Sequence, residues 1–282
     1  MILEKETPSR YVPLDTVKNS YQDFVCYNGM DKENCLQVYW YEFFNENLNE
    51  DQRNIGFQRL NDAKSIISPH LFTIFEVQKI SNPPRFVVVT EAIESPTLAE
   101  YIRSLEMEPP YKVVIKWFKC LVIAVQALHS SQNKVVHGSI NLHNVFFRQN
   151  PSNLKLLMPL SSMSCRNIPP FALDIDCYKA PELIQGFVSR SNDIWSLGMV
   201  LIELLTRETP YNEKKSPFEL MRAMFSFEYP LSMQKIENSN AKDLIRKCLC
   251  PYEQRLNIDE ILTHPVFLEN DQLPFEQNLI LL

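Results

Sequence analysis

Residues 178–198 read Tyr178-Lys-Ala-Pro-Glu182-Leu-Ile-Gln-Gly-Phe-Val-Ser-Arg-Ser-Asn192-Asp-Ile-Trp-Ser-Leu-Gly198, and the reading of this stretch decides the fold. Its last residues open a run, Asp193 to Thr206, that is apolar on nearly every face, as expected of a helix buried inside a large domain. Toward the C-terminus, Ala241 to Leu249 and Ile258 to Leu262 give further helical segments. Arg255 stands between them in Gln254-Arg255-Leu256, and His264-Pro265-Val266-Phe267 follows. Toward the N-terminus, Val113, Val114, Trp117, Phe118, Leu121, Val122, Val125 and Leu128 recur at spacings of three and four, which predicts a long amphipathic helix.

The chain before about Ile93 has a different texture. Phe24–Tyr27, Leu36–Phe43 and Phe86–Thr90 are rich in β-branched and aromatic residues that suit strands. Asn28-Gly29 and Lys32-Glu33-Asn34 supply turn chemistry between the first two runs, and a helix is predicted over Asp51 to Ile67. After Ser95-Pro96 the periodicity is helical. A strand-rich small lobe followed by a helical large lobe predicts an α+β, bilobal fold.

Composition narrows the function classes. Apolar residues make up 45% and charged residues 22% of the 282, the usual mix for a globular protein with a core. A net charge of −6 and a pI near 5.5 argue against nucleic acid or an anionic membrane as the main partner. The first residues, Met1 to Glu6, lack the basic flank and apolar core of a signal peptide. The run Val113 to Leu128 is interrupted by Lys116 and Lys119 and is too short to span a bilayer. Seven cysteines are scattered without metal-ligand spacing and read as reduced core thiols of a cytoplasmic protein.

Together these stretches resemble the eukaryotic protein kinase domain. Tyr178–Glu182 is similar to the Ala-Pro-Glu element that closes the activation segment, and Asn192–Gly198 follows at the family's spacing. Arg255 and His264–Phe267 match the end of a kinase large lobe. The resemblance implies a pairing of Arg255 with Glu182, and structural roles for His137 and Asp193. It covers residues 10–268, with lobes of about 10–93 and 97–268, followed by a tail at 269–282.

The positions that carry chemistry in this family are substituted. Between Glu108 and Asp174 there is no acid, although the chain holds 34 in 282 residues. His137-Gly-Ser-Ile-Asn-Leu-His-Asn144 occupies the place of the catalytic loop. Its histidine and final asparagine are kept as His137 and Asn144, while Ser139 takes the place of the catalytic aspartate. A serine hydroxyl cannot accept a proton near neutral pH as a carboxylate does. Asn153–Leu157 resembles the strand before Asp-Phe-Gly, which puts Met158 where a metal-binding carboxylate is expected, and a thioether does not replace it for a hard cation.

In the small lobe Gln37-Val-Tyr-Trp-Tyr-Glu42 stands for Val-Ala-Ile-Lys, with Tyr41 at the lysine. Val38, Trp40 and Glu42 are similar to the with-no-lysine kinases and to the nuclear-receptor-binding-protein-like pseudokinases. With-no-lysine kinases take a substitute lysine from the neighbouring strand, and the matching place is read as Asn28; Lys32 is placed in the turn. Arg59 is read at the position of the helix glutamate. No glycine-rich loop is present over Asn19 to Cys26, where Tyr21, Asp23 and Phe24 stand instead.

These substitutions lead to the expectation of a catalytically inactive kinase homologue, a pseudokinase acting as a scaffold or allosteric regulator. The expected partners are other proteins, an active kinase among them, with neither nucleic acid nor membrane insertion. No cofactor is expected, and neither ATP nor Mg²⁺ is expected to bind. One alternative is a divergent serine/threonine kinase that recruits Glu42, Asp174 or Asp176. Another is a nucleotide-binding, non-catalytic switch that keeps Asn144. Ser161, Ser162 and Ser164 fall in the counterpart of the activation segment.

Overall fold

The computed structural model of the chain describes residues 10–20, 24–44, 49–148, 150–157 and 176–268. Its first lobe is a sheet of five antiparallel strands, β1 (Tyr11–Ser20), β2 (Phe24–Asp31), β3 (Leu36–Phe44), β4 (Ile74–Ser81) and β5 (Pro84–Glu91), in the order β1-β2-β3-β5-β4. Helix α1 (Glu50–Lys64) lies between β3 and β4. Successive strand side chains point to opposite faces. Val38 and Trp40 therefore pack on the outer face with Tyr11, Ile80, Val87 and Val89. Tyr39, Tyr41 and Phe43 line the inner face with Cys26, Phe86 and Val88. That inner face is continuous with the core of the second lobe.

Asn28-Gly29, read from the sequence as a turn, lies inside β2 opposite Tyr39 and Val38. Glycine is needed at 29 for close approach: a Cβ there would stand 3.0 Å from both the Val12 carbonyl oxygen and Val38 Cγ2. The turn itself is at Lys32–Cys35. There the Asp31 carboxylate accepts from the Glu33 N–H at 3.0 Å, and Cys35 takes φ +53°. Exposed Lys32 sits in this turn as read from the sequence.

The second lobe begins with α2 (Leu98–Ser104), started by a Thr97–Glu100 capping box. The long helix α3 (Tyr111–His129) follows, then a hairpin of β6 (Val145–Arg148) and β7 (Asn150–Leu156). After it come α4 (Pro181–Ile184), α5 (Arg190–Thr206), α6 (Pro217–Phe225), α7 (Ser239–Cys248), α8 (Ile258–Leu262) and α9 (Pro265–Leu268). Helix α5 is buried from Asn192 to Leu204, which explains its lack of a polar face. Gly198 lets α7 approach it: a Cβ there would fall 2.8 Å from Cys248 Cβ. No helix among the described residues is long and apolar enough to cross a membrane.

Strand β7 joins the two lobes. The Leu156 N–H donates to the His70 carbonyl at 2.8 Å, and the Phe72 N–H donates to the Leu156 carbonyl at 3.0 Å. Buried Lys155 pairs with Glu91 at the end of β5, and the same carboxylate oxygen of Glu91 accepts from the Thr73 N–H at 2.7 Å. The cleft between the lobes is thereby closed at its back by backbone bonds and one buried ion pair.

Candidate functional site

The loop His137–Asn144 is held from below by one carboxylate. Asp193, fully buried near the start of α5, accepts from the His137 N–H at 2.8 Å and the Gly138 N–H at 2.7 Å. His129 Nε2 lies 2.8 Å from the same group. Gly138 takes φ +71°, the left-handed region in which glycine carries no Cβ penalty. A glycine where the family pattern has arginine thus suits the backbone.

Buried His137 bonds at both ring nitrogens. Its Nε2–H donates to the Leu157 carbonyl at 2.8 Å, and its Nδ1 accepts from the Ser139 N–H at 3.2 Å. Burial pushes its pKa below the ordinary imidazole value, so the ring is a neutral strut between the loop and the end of β7.

Asn141 caps the single 3-10 turn that follows, accepting from the His143 N–H at 2.9 Å and the Asn144 N–H at 3.1 Å. The Asn144 amide then turns back. Its Nδ2 donates to the Ser139 carbonyl at 2.7 Å and lies 3.3 Å from Ser139 Oγ. The two positions singled out in the sequence therefore meet, and Asn144 braces the backbone beneath Ser139.

Tyr41 is buried on the inner face of β3, its ring stacked on Phe43 at 6.4 Å, and burial raises its phenol pKa well above the ordinary value. Cys26 stands opposite Tyr41, and Asn28, read as the place of the substitute lysine, pairs with Tyr39, two residues along. Arg59 does not face the cleft. It lies on the exposed face of α1, whose packed positions are Gly56, Leu60 and Ala63, because the helix turns 100° per residue and a small error in counting moves the side chain to another face.

Of the acids considered as substitutes, Glu42 and Asp176 are engaged elsewhere. Glu42 is on the outer face, where it accepts from the Trp40 indole at 3.0 Å and pairs with Arg85 at 3.7 Å. Asp176 caps a turn, accepting from the Tyr178 N–H at 2.9 Å and the Lys179 N–H at 3.0 Å. Tyr21, Asp23, Met158, Ser161, Ser162, Ser164 and Asp174 lie outside the described residues, as does the side chain of Phe24.

Mg²⁺ prefers carboxylate and water oxygens. Among the described loop residues the side-chain oxygens beside the cleft are the Ser139 hydroxyl and the Asn144 amide, both neutral, and Asp193 is already taken up by its three donors. Among the described residues, this donor set offers such an ion neutral oxygens and no uncommitted carboxylate.

Sequence reasoning missed Tyr39. Its phenol O–H donates to the Ile93 carbonyl at 2.9 Å, in the segment that connects the lobes, and its ring packs edge-on to Tyr41 at 6.5 Å. The signal was present in the alternation Tyr39, Tyr41, Phe43, which puts three aromatic rings on one face of a strand.

Farther from the cleft, Glu182 and Arg255 form the expected buried ion pair, closed by two guanidinium nitrogens, and Asn192 Nδ2 donates to Glu182 Oε1 at 2.8 Å. This architecture agrees with the match of the protein kinase domain family to residues 25–267. The chain belongs to the protein kinase family. Among relatives of this kinase-family chain, the serine/threonine-protein kinase WNK2 of Mus musculus is 24% identical over 86% of the chain and 12% of its own length. The kinase Wnk of Drosophila melanogaster is 24% identical over 86% of the chain and 10% of its own length. Serine/threonine-protein kinase pkpA of Phycomyces blakesleeanus is 26% identical over 93% of the chain and 42% of its own length. The chain thus spans between 10% and 42% of the length of these relatives.

These matches overturn the expectation of an inactive scaffold. It rested on counting substituted positions, yet proteins that share the kinase frame over most of this chain are named as serine/threonine kinases. A missing β3 lysine is moreover what the resemblance to with-no-lysine kinases implies, so position 41 says little about inactivity. The divergent-kinase alternative is the better reading.

Proposed function

We propose that the chain is the kinase domain of a divergent serine/threonine protein kinase, which slowly transfers the terminal phosphoryl group of a nucleoside triphosphate to protein hydroxyls. The observation that carries this reading is the family match over residues 25–267 on an intact frame: Asp193 under the loop, His137 behind it, Asn144 locked to Ser139. The names of the relatives support the acceptor class.

Phosphoryl transfer passes through a loose transition state in which the protein mainly positions and stabilises charge. Replacing the general base with a hydroxyl therefore slows the reaction, by about 10²–10⁴-fold for this class of loss, without removing the positioning. In this reading Ser139 Oγ marks the place where an acceptor hydroxyl is oriented, and the Asn144 amide holds it there.

Label transfer from γ-radiolabelled ATP to a serine/threonine peptide library tests the proposal. Incorporation on serine or threonine that falls with Asp193→Asn supports it. Incorporation no greater than that of heat-denatured chain defeats it.

A further inference from the structure

Two residues of the large lobe that line one hollow each carry a buried oxygen with no hydrogen-bond partner. The hollow lies between the segment that leaves α5 and the 3-10 turn Leu231–Lys235, and has a volume of about 470 Å³. Glu208 and Glu213 line it on one side, and Leu231, Ser232, Gln234 and Lys235 on the other. The loop His137–Asn144 contributes nothing to it.

Ser232 is 2% exposed and belongs to the floor, while Gln234 and Lys235 are exposed and stand at the rim. The Ser232 hydroxyl and Oε2 of Glu213 are the two oxygens without partners. Oε1 of Glu213 accepts from the Leu231 N–H at 3.3 Å, which ties this carboxylate to the turn that carries Ser232. The Glu213 segment is anchored on both sides. The Tyr211 O–H donates to the Glu228 carbonyl at 2.5 Å, and Lys214 Nζ pairs with the Glu228 carboxylate at 2.5 Å.

Charge selects the ligand. Glu208 is matched by Lys235 and Glu228 by Lys214, whereas Glu213 makes no ion pair among the described residues. A buried carboxylate oxygen is costly unless it is hydrogen-bonded and its charge is paired. The missing complement is one positive charge carrying several N–H donors. Among the described residues no group of three His, Cys, Asp or Glu could hold a metal ion, so the complement is organic. A guanidinium suits it better than an ammonium, being planar, less strongly hydrated and forked, with donors for a carboxylate and a neighbouring hydroxyl together. Exposed Leu231 offers an apolar wall for the aliphatic stem of such a group. A water molecule takes about 30 Å³, while the hollow has the size of a ligand pocket.

We propose that this hollow is a docking point for an arginine side chain of a protein partner, which passes between the rim side chains and donates to Glu213 Oε2 and the Ser232 hydroxyl. The inference stands apart from the phosphoryl-transfer reading, since no residue of the reacting loop takes part in it.

The test uses Nα-acetyl-arginine N-methylamide, which presents the side chain as a peptide does. It is titrated into the full chain while backbone amide resonances are followed by NMR. Nα-acetyl-citrulline N-methylamide, similar in shape and uncharged, is the control. The variants are Glu213→Gln and Ser232→Ala, with Glu213→Asp, whose carboxylate is drawn back, in place of a glutamine variant that is not folded by circular dichroism.

The expected result is a saturable change at the Glu213, Leu231 and Ser232 amides. The dissociation constant should rise at least about tenfold for the citrulline probe and for Glu213→Gln, as for loss of a charge-assisted hydrogen bond. It should rise about two- to tenfold for Ser232→Ala. Amides that do not respond to the arginine probe would mean that water alone satisfies both oxygens, and would overturn the docking point. Equal binding of the citrulline probe, or a constant unmoved in either folded variant, would overturn it as well.

Discussion

Arg255 and Glu182 are joined across 73 residues by a two-pronged ion pair that is shielded from water on both sides. The guanidinium also donates to the Ser191 carbonyl at 2.9 Å and the Cys250 carbonyl at 2.8 Å, and lies 5.0 Å from the centre of the Trp195 ring. One side chain thereby ties α4, the start of α5 and the segment after α7. Removing one partner of such a pair leaves a buried charge alone. Arg255→Ala should destabilise the domain by about 3–5 kcal/mol. Arg255→Lys should also be damaging, since an ammonium cannot reproduce the planar fork. Urea denaturation followed by circular dichroism gives the numbers.

Asp193 sets the loop more locally. Replacing it with asparagine leaves one acceptor oxygen and turns an NH₂ group toward backbone N–H groups. Asp193→Asn should cost about 1.5–3 kcal/mol, the range for a hydrogen bond to a charged group. Amide exchange at His137 and Gly138 should speed up more than exchange in α7. Equal acceleration everywhere would contradict the bracing role.

Gly198→Ala should destabilise by about 1–3 kcal/mol through overpacking, because the new methyl meets Cys248 Cβ at 2.8 Å. The same variant combined with Cys248→Gly should recover part of the loss. A melting temperature equal to wild type for the single variant would contradict the close approach of α5 and α7.

His137 carries a pH signature. Its pKa is depressed in the fold by burial, so the unfolded chain binds its proton at a higher pH than the folded chain does. Stability is then fully present above the unfolded value near 6.5 and declines as pH falls below it. One such proton contributes at most about 1.4 kcal/mol per pH unit. The difference between wild type and His137→Gln isolates this slope from the other histidines. Parallel stability curves from pH 7.5 to 5.5 would contradict it.

Much of this arrangement was legible in residue order because the long helices carry their own period. Val113 to Leu128 and Asp193 to Thr206 appear as α3 and α5. The ion pair between Glu182 and Arg255 followed from the family resemblance. The small lobe was harder. β1 includes Pro13, Asp15, Lys18 and Asn19 and lacks clean alternation, so it is set by pairing with β2 and not by local propensity. Gly29 looked like a turn residue, but its use is a close approach between strands. Tyr39 carries no charge or motif signal of its own, although a period of two puts its ring on the same face as Tyr41.

The central claim is slow phosphoryl transfer on a loop braced by Asp193 and Asn144. Single-turnover transfer from γ-radiolabelled ATP, with excess chain and product sites read by mass spectrometry, tests it most directly. Taking kinase turnover of about 1–100 s⁻¹ and a base loss of about 10²–10⁴-fold, the expected rate constant is about 10⁻⁴–1 s⁻¹ on serine or threonine. It should fall further in Asn144→Ala. Phosphorylation no faster than in chain-free solution, or a rate unmoved by Asn144→Ala in a folded variant, would contradict the account.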